Sequence, residues 1–174
     1  MSERRLVDLS LAEFVEAVAS TDQPAPAAGS VSALTGAACA ALLELVCGVR
    51  RMGDGVERAR QLRRQLLALI DEDAAAVTAW LKAPREAAAR RRALAVPLDI
   101  ARACARVVGL AANVEAHTSG SPRFDVEAAQ QLARAAALAA LDLVEANLRS
   151  AGDREALQDE ITQLRASLGG SAAR

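Results

Sequence analysis

Residues 23–49, QPAPAAGSVSALTGAACAALLELVCGV, carry the reading that decides the fold. The stretch opens as a stiff loop, because Pro24 and Pro26 bias Gln23 and Ala25 toward extended geometry. At Gly29-Ser30 the pattern turns helical, with Ser30 as the expected N-cap. Ala33, Gly36, Ala37, Ala40 and Ala41 follow at helical spacing. A helix with so little side chain on one face lets its neighbours approach closely, so it is expected to be central and buried. Its N-terminal end, where backbone N–H groups are free, is also a place where an anionic group can be held.

Working outward, the composition agrees. About a quarter of the 174 residues are alanine, the best helix former. There are two Phe, one Trp and no Tyr, which are the types that sheets favour. The expected fold is all-α: one domain over residues 1–174, an antiparallel bundle of about six helices, with a tail frayed over 170–174.

The formal net charge of -1 gives no electrostatic case for nucleic acid. Cys39, Cys47 and Cys104 sit in apolar helical stretches and are expected to be small buried hydrophobes in a reducing compartment. With His117 the single histidine, no metal-ligand spacing exists. The first residues, MSERRLVDLSLAEF, lack the apolar core of a signal peptide. Ser32, Thr35 and Glu44 interrupt the longest apolar run, which makes it a poor membrane span. These features point to a cytoplasmic protein with no membrane partner.

Before the central stretch, Leu6 to Val18 predicts a short helix with a capping box at Ser10 and Glu13. After it, Gly53-Asp54-Gly55 is expected as a turn or kink. Leu62, Leu66, Leu69, Ile70, Val77 and Trp80 predict a third helix, with Arg58, Arg60, Arg63 and Arg64 on a solvated face. Pro84 ends it, and Pro97 is expected to break or kink the next helix, which runs to about His117. TSGSPR, 118–123, is a loop; Asp125 is the expected N-cap of the following helix. Asp153 caps a last helix whose stripe Leu157, Ile161, Leu164 and Leu168 packs on this subunit or on a second one.

The order of blocks resembles a known family. A DLSLAEFV helix is followed by Pro24-Ala25-Pro26-Ala27-Ala28-Gly29-Ser30-Val31 entering the small-residue helix. Leu69-Ile70-Asp71-Glu72-Asp73-Ala74 comes next, then Val96-Pro97-Leu98, then a loop into a helix headed by Asp125. From about Leu6 to Leu168 the chain resembles the formiminotransferase-cyclodeaminase C-terminal domain and the methenyltetrahydrofolate cyclohydrolases. The resemblance implies an all-helical homodimer with its folate site near the dimer interface. It implies hydrolysis of 5,10-methenyltetrahydrofolate to 10-formyltetrahydrofolate, or release of ammonia from the 5-formimino form. A tetrahydrofolate derivative is then the substrate, with no covalently bound cofactor and no metal. A single domain of this kind has no local source of formimino-folate, which tilts the expectation toward hydrolysis.

That chemistry needs carboxylates beside an amidinium-like cation, to stabilise charge and to move protons. The catalytic candidates are Asp73, Asp125 and Asp71. The substrate-binding candidates are Pro26, Gly29, Ser30 and Lys82. Each has a plainer explanation beside the functional one. Gly29 and Ser30 can simply start a helix, Asp125 can simply cap one, and Lys82 suits any helix C-terminus. Asp73 can be a half-buried partner of an arginine, Asp71 can lie on the solvated side, and Trp80 and Phe124 can be core. Ala27 and Ala28 stand where the family loop is usually glycine, and the loop at 120–125 lacks the family's Asn and Ser. A second reading follows: a non-catalytic or repurposed helical homodimer that keeps the fold with a degraded folate site.

Overall fold

The computed structural model describes residues 4–22, 25–148 and 155–169. After a 3-10 turn at Leu6–Asp8 come six helices: α1 (Leu11–Ala19), α2 (Ala28–Val49), α3 (Gly53–Lys82), α4 (Ala87–Glu115), α5 (Pro122–Leu148) and α6 (Glu155–Gly169). The fold is all-α. Helices α2 to α5 form a four-membered bundle in which each packs on the next and α5 closes back on α2. The diagonal pair α2 and α4 also touches, because Gly36 is there: a Cβ at this position would lie 2.5 Å from Cys104 Sγ. Close approach through a missing side chain is what the small-residue pattern of α2 implied. By length and composition α2 could cross a membrane, but half of its apolar window is buried inside the bundle, as befits a core helix.

The core is built from small and branched aliphatic residues, with Leu43, Leu66, Ile70, Ile100, Val107, Leu141 and Val144 fully buried. Cys39, Cys47 and Cys104 are free and buried. Burial pushes the Cys39 thiol up to about 11 and the Cys104 thiol to about 12. The capping box of α1 forms: the Glu13 N–H donates to Ser10 Oγ and the Ser10 N–H to Glu13 Oε2. In α6, Ile161 and Leu168 are buried and Leu157 and Leu164 pack against the core, so that stripe belongs to its own subunit. Arg60 and Arg63 are not merely solvated, since both pair with Glu44 and tie α3 to α2.

Several boundaries differ from expectation. Helix α2 ends at Val49; Arg51, just beyond it, takes a left-handed φ of 57°, and the Met52 N–H closes onto Cys47 O. The turn therefore falls before Gly53, and Gly53-Asp54-Gly55 opens α3. Ser30 is not an N-cap, because Ala27 occupies that position without a side-chain bond. Asp125 is not one either: α5 starts at Pro122, whose missing N–H suits the first turn, and Asp125 sits inside that turn. Phe124 is exposed, not core, because it lies on the helix side opposite Val126, Ala129 and Ala133. Pro97 does not break α4, which runs unbroken from Ala87 to Glu115. The turn and cap expected at 151–153 and the tail at 170–174 lie outside the described residues.

Candidate active site

The first turn of α2 lies against the middle of α3. Ala28, Gly29 and Ser30 have no intrahelical acceptor for their N–H groups, the first helical bond being Val31 N–H to Ala27 O at 3.0 Å. Asp73 from α3 supplies the missing anion. Its Oδ2 accepts from Ser30 Oγ at 2.8 Å, and the Ser30 backbone N–H also points to the carboxylate. The Ser30 hydroxyl lies 3.2 Å from Ile70 O as well, so it bridges α2 and α3. Gly29 makes room, since a Cβ there would fall 2.1 Å from Asp73 Oδ1. The anion at this helix N-terminus is the chain's own carboxylate, in the place the sequence left open for a ligand's anionic group.

Asp73 is buried, and burial pushes its carboxyl above the ordinary aspartate value, while the hydrogen bonds from Ser30 pull the other way. The carboxyl edges a cleft of about 180 Å³. Ala28 and Gly29 of α2, Val77 and Trp80 of α3, Pro97 of α4 and Asn147 of α5 are among its walls. Asp73 and Asn147 supply polar side chains to this lining, Trp80 adds its indole, and among the described residues no cationic side chain lines the cleft.

The other candidates fall elsewhere. On the opposite side of α3 a groove of about 670 Å³ is lined by Pro26, Asp71 and Lys82 together with Arg4 and Arg5. Asp71 is half-buried and already engaged there, accepting from the Leu6 N–H at 2.7 Å and from Arg5 Nε at 3.0 Å. It ties the N-terminal segment to α3. Lys82, the chain's single lysine, is exposed in the last turn of α3. Asp125 is exposed at the far end of α5, about 27 Å along the helix axis from Leu143 of the cleft. Within one chain, Gly29, Ser30 and Asp73 come together, Pro26, Asp71 and Lys82 share the neighbouring groove, and Asp125 joins neither. No group of three potential metal ligands occurs among the described residues.

The model of the formiminotransferase-cyclodeaminase family matches residues 10–166. The chain belongs to that family. Formiminotetrahydrofolate cyclodeaminase from Thermotoga maritima has the same fold, with a TM-score of 0.87 and 25% identity over 94% of this chain and 91% of that one. No curated protein matches the chain at a significant level.

Within the formiminotransferase-cyclodeaminase fold two cleft residues were not among the sequence-based site candidates. Pro97 stood out as a helix breaker within the Val96-Pro97-Leu98 block, and Asn147 was not singled out. They meet in space: Asn147 Nδ2 donates to Ala93 O at 2.8 Å. Ala93 is the residue four before Pro97, so its carbonyl is the one that Pro97, lacking an N–H, leaves without a helical donor. Only the packing of α5 on α4 reveals the pairing. Ala27 and Ala28 border the cleft without filling it.

Proposed function

We propose that this family member acts on the one-carbon unit held between N5 and N10 of tetrahydrofolate, with Asp73 as the acid-base group. The observation that carries the reading is a buried carboxylate, raised above its ordinary value, at a largely apolar cleft lined by no cation among the described residues. Such a site favours a ligand that brings positive charge, and a carboxyl raised above its ordinary value binds a proton more tightly than an exposed aspartate does. In hydrolysis of the methenyl form, water adds to the bridging carbon and gives its proton to Asp73. The proton returns to N5 as the N5–C bond breaks, and the hydroxyl proton leaves to solvent as the formyl C=O forms, giving the 10-formyl product. In deamination of the 5-formimino form, N10 adds to the same carbon and its proton passes to the imino nitrogen; a second proton, delivered through Asp73, lets the resulting amino group leave as ammonia and the methenyl cation form. Both routes pass through one tetrahedral carbon and need neither metal nor redox cofactor.

The cleft is smaller than the several hundred Å³ that enclose a drug-sized ligand. In this reading it takes the ring system, and the rest of the folate runs outside it, past Gly29 and the groove holding Pro26 and Lys82. A homodimer completes the proposal. Its support is apolar exposure in helical register: Leu45 (60%) and Val49 (65%) on α2, Phe124 (70%) and Leu132 (53%) on α5. A partner seated there could bring its own Asp125 toward a site that lacks it in one chain. Three free buried thiols are consistent with a reducing, cytoplasmic setting.

The test is the methenyltetrahydrofolate chromophore. Its loss faster than in buffer marks the hydrolase, and its appearance from 5-formiminotetrahydrofolate marks the deaminase. If the protein changes neither rate and binds no reduced folate, the non-catalytic dimer is the better account.

A further inference from the structure

We infer that Asn147 is a specificity residue of the cleft, its amide pinned to Ala93 O so that Oδ1 stands as a fixed acceptor for a ring N–H of the ligand. This rests on the folate reading above and deepens it.

The argument begins with Pro97. A proline inside a helix removes one i to i−4 bond and crowds the carbonyl four residues back. That carbonyl belongs to Ala93, a buried residue. Asn147 reaches over from α5 and donates Nδ2 to it at 2.8 Å. The orientation of the amide is thereby decided, because the flipped form would set two acceptor oxygens against each other. Asn147 Oδ1 accepts no hydrogen bond among the described residues. It is not sealed off either, since Arg50 Nε is the one unpartnered buried side-chain polar atom among them. Asn147 and Pro97 both line the cleft that Asp73 edges.

Asp73 and Asn147 come from α3 and α5, the two helices that do not face each other in the four-membered ring. The cleft therefore has an acceptor from each of two helices, with the apolar Val77 and Leu143 and the indole of Trp80 also lining it. Both polar ends accept. A flat heterocycle that offers N–H donors, with positive charge toward Asp73, fits this pattern; one that offers only acceptors leaves both ends unpaired. A tethered amide acts without losing side-chain freedom on binding, which makes its acceptor more discriminating than that of a free asparagine.

The difficulty in testing Asn147 is that its loss also strands the Ala93 carbonyl. Pro97→Ala removes that difficulty, because the residue then has an N–H to give Ala93 O. Affinity for 5-formyltetrahydrofolate is read from quenching of Trp80, the single tryptophan, corrected for ligand absorbance. P97A and P97A/N147A are expected to melt alike, with the double variant binding about tenfold more weakly, the worth of one hydrogen bond. Equal affinity in the two would overturn the inference and leave Asn147 a purely structural bridge. In the parent background, Asn147→Asp keeps an acceptor and loses the donor. It is expected to melt lower, as Asn147→Ala does, yet to hold ligand better than Asn147→Ala; no difference in affinity between these two variants counts against the inference. If the parent protein binds no 5-formyltetrahydrofolate, the folate reading itself fails and this inference goes with it.

Discussion

At the scale of single residues, the chain places one carboxylate where a carboxylate is costly. Asp73 is held by Ser30, but its burial outweighs that help. The sign of the consequence is fixed. A folded-state pKa above the ordinary 3.8 means that the folded chain holds the proton more tightly than the unfolded chain. Stability contributed by this group is full at low pH and falls as pH rises from 3.8 through the folded value. Asp73→Asn keeps the acceptor for Ser30 and removes the titration. Its melting temperature should match the parent's in acid and exceed it at neutral pH, while turnover falls by about 10²-fold or more. Melting curves across pH, beside the chromophore assay, check both halves. Gly29→Ala is the complementary change. Its methyl would fall 2.1 Å from Asp73 Oδ1, so the carboxylate must move, and both stability (by about 1–3 kcal/mol, from urea unfolding) and turnover should drop.

At the scale of elements, the crossing of α2 and α4 depends on an absent side chain. A Cβ at Gly36 would meet Cys104 Sγ at 2.5 Å and a Leu66 methyl at 3.1 Å. Gly36→Ala gains helix propensity, about 1 kcal/mol, but must push aside the fully buried Cys104 of α4. The net expectation is a loss of about 1–2 kcal/mol in denaturant unfolding. Cys104→Ala in the same chain should recover part of it, because the obstructing sulfur is gone; simple additivity of the two variants would show that the contact does not limit the crossing. Helix α4 teaches a related lesson. Pro97 is tolerated in mid-helix because a side chain on α5 takes over the bond that the ring removes. The local rule for proline was right about the missing N–H and wrong about the break, since it could not see Asn147 fifty residues later.

At the scale of the whole molecule, several apolar side chains remain uncovered. Leu11, Val15 and Val18 lie along α1, which gives only Phe14 to the core as a buried residue. On α2, Val31, Ala38, Leu45 and Val49 share one exposed stripe. In the proposed homodimer the α2 stripe, with Phe124 and Leu132 of α5, is the contact. Leu45→Glu should then shift the light-scattering mass from dimer to monomer with little change in the helical circular dichroism of the bundle, because Leu45 is 60% exposed. A parent that is already monomeric at micromolar concentration would remove that part of the proposal.

The sequence by itself determined the class of fold, the number of helices and the family blocks, because alanine content and helical periodicity are local properties that each segment carries alone. It also singled out Gly29, Ser30 and Asp73, since the special loop and the acid within an apolar stripe were visible in isolation. Only the tertiary structure decided what those residues do to one another. Ser30 became a ligand to Asp73 and not a cap, Asp71 an anchor for Arg5 and Leu6, and Asn147 the partner of a carbonyl orphaned by Pro97. The physical reason is common to all three. A backbone group left unpaired by local sequence must find its partner wherever packing brings one, and that partner has no fixed distance along the chain.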